Sequence, residues 1–213
     1  MKTTLACAAL LAFLPLAPTQ ESAVAQTMLS APAGGQAVSL HEATLYQEDY
    51  LRHSLSLRTG DYGKAVQNHL VVNLDSELDF GSYSADQFTA GVQGGQNGEL
   101  LDLGSWQDLA RRHGYAETVG GGQGFTSIRF ENGRLVILQD YSTGAVQSFV
   151  EGEQFLNGPP LTTSRPAPIT VGHVYLVRIV DRNDPEFLRF VKLLVVGHAP
   201  GQSVTVRWQE LRR

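Results

Sequence analysis

GHVYLVRIVDRNDPEFLRFVKLLVVGHAPGQSVTVRWQEL, residues Gly172–Leu211, reads as three strands joined by two turns. The expected strands are Gly172–Val180, Phe187–Val196 and Ser203–Leu211. The expected turns are Asp181–Glu186, rich in Asp, Asn and Pro, and Gly197–Gln202. In the third strand Val204, Val206 and Trp208 alternate with Thr205, Arg207 and Gln209, which leaves one face wet. The first two strands differ. Val174 and Leu176 stand on one parity and Tyr175, Val177 and Ile179 on the other. Phe190, Leu194 and Val196 likewise oppose Val191, Leu193 and Val195. Strands apolar on both parities must be covered on both faces. A second sheet or a helix has to lie across them. The expected fold is therefore mostly β: a two-layer antiparallel β-sandwich-like domain with one or two short helices.

Upstream, the segment Asn157–Pro168 carries four prolines and reads as a crossing connection between groups of strands. Phe125–Glu131 and Arg134–Asp140 flank Asn132-Gly133, a pair that tolerates the positive φ values of a type I′ turn and so predicts a hairpin. Ala145–Val150 follows as a further expected strand, and Gly120–Gly124 as a flexible entry to the hairpin. Ser105 caps an expected helix, with Asp108 three residues on, Arg111, Arg112 and His113 at its positive end and Gly114 as its stop. Leu45, Tyr46, Tyr50, Leu51 and Leu55 fall at near-helical spacing and predict an amphipathic helix within Glu42–Leu57. His69–Leu74 is an expected strand. Asp79–Ser84 and the glycine-rich Gly91–Gly98 are expected loops.

The chain opens with Lys2, the apolar run Leu5–Pro18 and the small-x-small site Ala23-Val24-Ala25. That order reads as a signal peptide over residues 1–25. The run is too short for a span, which needs about 20 apolar residues, so no stable membrane span is expected after its removal. Residues 26–40 read as a flexible leader and 41–213 as a single β-rich domain. The expected location is secreted or periplasmic. Cys7 is the only cysteine and lies inside the signal, before most of the apolar run, so neither a disulfide nor a lipid anchor is expected. A disulfide-free exported domain relies on its core for stability. Net charge is −5, with residues 166–213 at +3 and the remainder at −8. No run of adjacent basic residues with interleaved aromatics points to nucleic acid.

The residues that carry chemistry are sparse. Asp75, Glu77 and Asp79 alternate after the His69–Leu74 strand. In an extended chain all three project to one side, where they can hold Ca²⁺ or do acid–base work; a solvated face is the plainer reading. The turn DRNDPE offers Asp181, Asn183, Asp184 and Glu186. Over four residues it resembles the Asp-x-Asn-Asp calcium segments of cadherin-type linkers, with Pro185 in place of the Asn that should follow Asp184. The resemblance implies Ca²⁺ as the one candidate cofactor. The same residues also make an ordinary turn.

His41-Glu42 starts a zinc-protease-like pattern, but Leu45 occupies the place of its second His. There is no Gly-x-Ser-x-Gly elbow, no Ser-x-x-Lys and no phosphate loop. Trp106, Tyr83, Tyr115 and Tyr141 fall in or near loops and are candidates to stack on a ligand. The sequence supports an exported domain with a non-catalytic binding or assembly role toward an envelope or extracellular partner. The alternatives are an envelope hydrolase whose carboxylates meet only in the fold, and a structural surface protein. A hydrolase requires a deep pocket gathering at least two of Asp75, Glu77, Asp79, Asp102, His113 and His173. A shallow surface with exposed aromatics favours binding.

Overall fold

A computed structural model describes residues 27–28, 39–67, 70–73, 75–116, 125 and 127–213. The signal-like segment and Gly120–Gly124 lie outside the described residues, as does most of the leader.

The fold is mostly β, with antiparallel sheets packed together. The central sheet has six strands, in the order β1 (Thr27–Met28), β2 (Ser39–Tyr46), β15 (Ser203–Glu210), β14 (Asp184–Ala199), β13 (His173–Asp181) and β8 (Gln96–Ser105). The three-strand meander expected from the sequence forms its middle. The turns are tighter than expected. Asp181 pairs with Asp184, leaving Arg182-Asn183 as the turn, and β14 runs on to Ala199.

Both faces of β13 and β14 are buried. Val174, Leu176, Phe190 and Leu194 enter one core, while Tyr175, Val177, Ile179, Val191, Leu193 and Val195 enter the other. The first core is closed by the three-stranded sheet β11 (Ala145–Ser148), β10 (Arg134–Asp140) and β9 (Ile128–Glu131), together with Leu109 of α1 (Trp106–His113) and Leu156 of α2 (Val150–Leu156). The second is closed by the four-stranded sheet β12 (Ala167–Pro168), β7 (Gln87–Ala90), β6 (Leu78–Phe80) and β3 (Ser54–Leu55). β4 (Lys64–Gln67) and β5 (Leu70–Asn73) form a separate two-stranded hairpin. On β15 only the Val204, Val206 and Trp208 face enters a core. The Trp208 indole N–H donates to the Leu57 carbonyl at 2.8 Å, so its polar edge is satisfied inside.

The local signals of α1 operate as read. The Ser105 hydroxyl accepts from the Asp108 amide (3.1 Å), and Gly114, at φ 69°, closes the C-terminus onto the Ala110 carbonyl. Asn132 and Gly133 both adopt positive φ, at 51° and 75°, as a type I′ turn demands.

Four expectations are corrected. The helix expected within Glu42–Leu57 is a strand, a loop and a second strand. His41–Tyr46 pairs with Ser203–Trp208, and Ala43 and Leu45 alternate into the core. A partner strand with open hydrogen bonds overrides weak helical spacing. The loop expected at Asp79–Ser84 begins as β6, because Leu78 and Phe80 are fully buried beside β7. The loop expected at Gly91–Gly98 ends as β8, whose Gln96, Asn97 and Gly98 pair with Asp181, Val180 and Ile179. The strand expected through Val150 stops at Ser148, and α2 takes over. Gly152 weakens the helical signal, yet a Cβ there would lie 2.5 Å from both Leu135 and Phe149, so close packing requires the glycine.

Burial on both faces extends to charged side chains. Arg178, buried, binds Glu99 (2.7 Å) and donates to the carbonyls of Gly158 (2.8 Å) and Pro159 (2.7 Å). It thereby pins the Pro-rich connection to the sheet. Lys192 projects between Phe190 and Leu194, donates to the Ile128 carbonyl (3.2 Å) and lies 4.9 Å from the Phe125 ring centre. Burial pushes its ammonium down from 10.5 to about 7. Between those values the unfolded chain holds a proton that the folded chain lacks, so stability rises with pH across that window. The expected outcome for Lys192→Met is a raised melting temperature at pH 7, with the gain over wild type shrinking toward pH 10. A gain independent of pH would contradict this environment.

Candidate functional site

The strand β2 ends at Tyr46, and the chain then folds into a short closed loop. The Tyr46 amide donates to the Arg52 carbonyl (3.1 Å), Asp49 N–H to the Tyr46 carbonyl (3.3 Å) and Arg52 N–H to the Asp49 carbonyl (2.8 Å). The Asp49 carboxylate also takes the Leu51 amide at 3.0 Å. One further bond, from Gln47 N–H to the Gln202 carbonyl (2.9 Å), ties the loop to the turn between β14 and β15. Backbone groups satisfied within a loop make it a fixed surface.

Between loop and turn lies an open groove of ≈ 620 Å³, lined by Tyr46, Glu48, Asp49, Tyr50, Arg52 and Gln202. Tyr50 is 57% exposed and Tyr46 36%. Arg52 pairs with Asp49 at 3.5 Å and covers the ring of Tyr62 at 5.8 Å. The Tyr62 hydroxyl donates to the Thr44 carbonyl (2.9 Å), and burial raises its phenol above the ordinary range. The volume falls within the range of small-molecule sites, about 300–1,000 Å³. None of these residues was singled out as a ligand group from sequence. Tyr46 and Tyr50 belong to the apolar side of the expected helix, and the signal that could mark them is two tyrosines flanking Glu48-Asp49.

The acidic candidates are placed apart, each with its own partner. Asp75 pairs with Arg58 at the surface (2.6 Å). Glu77, buried, takes Arg189 (3.1 Å) and the Arg58 amide (3.2 Å). Asp79, fully buried, lies 2.8 Å from His53 Nδ1 and accepts from the Ser82 amide (3.1 Å). Asp181 accepts from the Asn183 amide (2.8 Å) and Asp184 from the Glu186 amide (3.1 Å), the hydrogen bonds of an ordinary Asx turn. Among the described residues, no group of three or more His, Cys, Asp or Glu side chains is arranged to hold a metal ion.

The aromatic candidates also part company. Trp106 packs against the first core. Tyr115 lies within that core, where burial drives its phenol up to about 12. Tyr83 and Tyr141 are exposed, at 58% and 52%. Tyr83 follows β6, in the sheet that closes the second core, and Tyr141 follows β10, in the sheet that closes the first.

One pair named for a hydrolase does meet. His173 Nδ1 lies 2.9 Å from Asp102, but both side chains are part-exposed, at 28% and 36%. Ser105 is the cross-strand partner of His173. Its hydroxyl donates to Asp108 (2.6 Å) while accepting the helix amide, so it is committed to capping α1. His113 stands elsewhere, edge-on to Phe149, and burial lowers its pKa.

Comparison with family models, with curated proteins and with solved structures finds no match. Among the described residues, no helix is long and apolar enough to cross a membrane.

A calcium ion takes six to eight oxygens, so binding at either acidic stretch would have to break these pairings. The melting temperature is expected to stay unmoved by millimolar Ca²⁺ or by chelator. A rise of several degrees with Ca²⁺, reversed by chelator, would restore the calcium reading.

Proposed function

We propose that this protein is an exported, non-catalytic binding module that meets an envelope or extracellular partner through the groove of Tyr46 and Tyr50. The observation that carries the reading is the groove itself: two exposed tyrosine rings and the side chains of Glu48, Asp49 and Arg52 on a loop closed by its own backbone hydrogen bonds, with Gln202 lining the groove from the β14–β15 turn. Exposed aromatics on a fixed surface are anchors, because they bury large area with little loss of rotamer freedom. The extracytoplasmic location rests on Lys2, the Leu5–Pro18 run and Ala23-Val24-Ala25.

The hydrolase reading has its footing at Asp102–His173. The pair is part-exposed and its neighbour Ser105 is committed to capping α1, so it lacks the water-excluding enclosure such chemistry uses, and binding is the stronger reading.

Two outcomes are expected. Mass spectrometry of exported material should find Gln26 at the N-terminus, and an intact Met1 contradicts export with cleavage. Tyr50→Ala should leave the circular dichroism unchanged and weaken binding to isolated envelope material of the producing cell by about tenfold or more, roughly 1.4 kcal/mol. Equal binding by the variant would remove the groove from consideration.

A further inference from the structure

We infer that the groove takes a neutral oligosaccharide, with a sugar ring laid against Tyr50 and its hydroxyls bound by the polar rim. The inference rests on the groove being the binding site and adds the class of ligand.

The lining decides the class by its mixture. Glu48 and Asp49 accept hydrogen bonds, Arg52 donates them, and Gln202 does both. Vicinal hydroxyls of a sugar donate and accept together, so one ligand satisfies the whole rim. The competitors fit less well. A hydrocarbon chain would cover the tyrosines but strip water from two carboxylates and a guanidinium without replacing it. An anionic chain would face Glu48 and Asp49 against a single Arg52, itself already paired with Asp49 at 3.5 Å. A polycation would meet that Arg52, and the Asp49 charge it seeks is already shared. The net charge of the lining is small and of mixed sign, which suits an uncharged ligand.

The rings supply the other half. An aromatic face carries negative potential, and the C–H groups on the apolar face of a pyranose are its weak partners. Both rings line the groove, and Tyr50 is the more exposed of the two. The groove is open and not a closed cavity, so it suits an internal stretch of a chain. Partial enclosure means modest affinity, on the order of 1 mM per site. The closed loop offsets part of that weakness, because its ordering is complete before the ligand arrives.

The test is a titration of the exported protein, followed through the ring resonances of Tyr46 and Tyr50 by NMR. The probes are the β-1,4-linked tetramers of glucose and of N-acetylglucosamine, with tetralysine and a sulfated heparin tetramer as charged counterparts. At least one neutral tetramer should shift both rings saturably, with Tyr50→Ala abolishing the shift and Tyr50→Phe retaining it. The charged tetramers should leave the rings unmoved. Silence of both neutral tetramers up to about 10 mM, or tighter groove binding by either charged one, overturns the inference. If envelope binding that depends on Tyr50 persists in that case, only the ligand class falls; if it is also absent, the groove falls with it.

Discussion

Burial of the β13–β14 pair on both faces is the constraint on which the rest of the structure depends. An antiparallel pair ordinarily offers one face to water. Here alternate side chains of the same two strands enter two separate cores, so each core needs its own covering layer. The four-stranded sheet covers one side. The three-stranded sheet with α1 and α2 covers the other. With Cys7 as the sole cysteine, the chain can form no internal disulfide, and these two cores supply the stability.

The double burial also dictates where charges go. Charged side chains within the buried stretches of β13 and β14 still point into protein, and each must carry its partner with it. Arg178 does so with Glu99 and the carbonyls that follow α2, and that single side chain fixes the connection between the sheets. Arg189 reaches Glu77 and Glu210, joining β14 to the residue that leads into β6 and to β15. At the far end of β14 His198 meets Asp86 at 2.8 Å, and the Gly201 amide donates to the same carboxylate at 3.0 Å. Burial alone would raise the Asp86 carboxyl. Those hydrogen bonds and the His198 charge hold it below the usual range. This seam anchors the turn that carries Gln202, so the groove sits on a braced edge of the sheet.

Much of this architecture was legible in the chain. Two-sided apolarity in Val174–Ile179 and Phe190–Val196 implied the extra layers, and Ser105, Gly114 and Asn132-Gly133 marked their helix and hairpin through local conformational demands alone. What escaped was decided by partners distant in sequence. Leu78 and Phe80 sit beside Asp79 and Gly81 and resemble a loop until β7 and the second core are in place. Glu42–Tyr46 becomes a strand only because Arg207 and Trp208 lie across from Glu42 and His41. The site was hidden for the same reason. Tyr46 and Tyr50 look like one side of a helix until the loop closes and turns them outward. The acidic run Asp75, Glu77 and Asp79 looked like a site and proved to be three separate pairings, since spacing along a strand does not reveal that Arg58, Arg189 and His53 arrive from other elements.

A doubly buried strand pair and a loop closed by its own hydrogen bonds at the end of β2 are what native-state hydrogen exchange tests most directly. Amides of Val174–Val180 and Phe190–Val195 are expected to exchange last, only through global unfolding, and the hydrogen-bonded amides of Tyr46, Gln47 and Arg52 to be protected well above an open loop. Exchange of β13 and β14 as fast as β11, or unprotected amides at Tyr46 and Arg52, would contradict this arrangement.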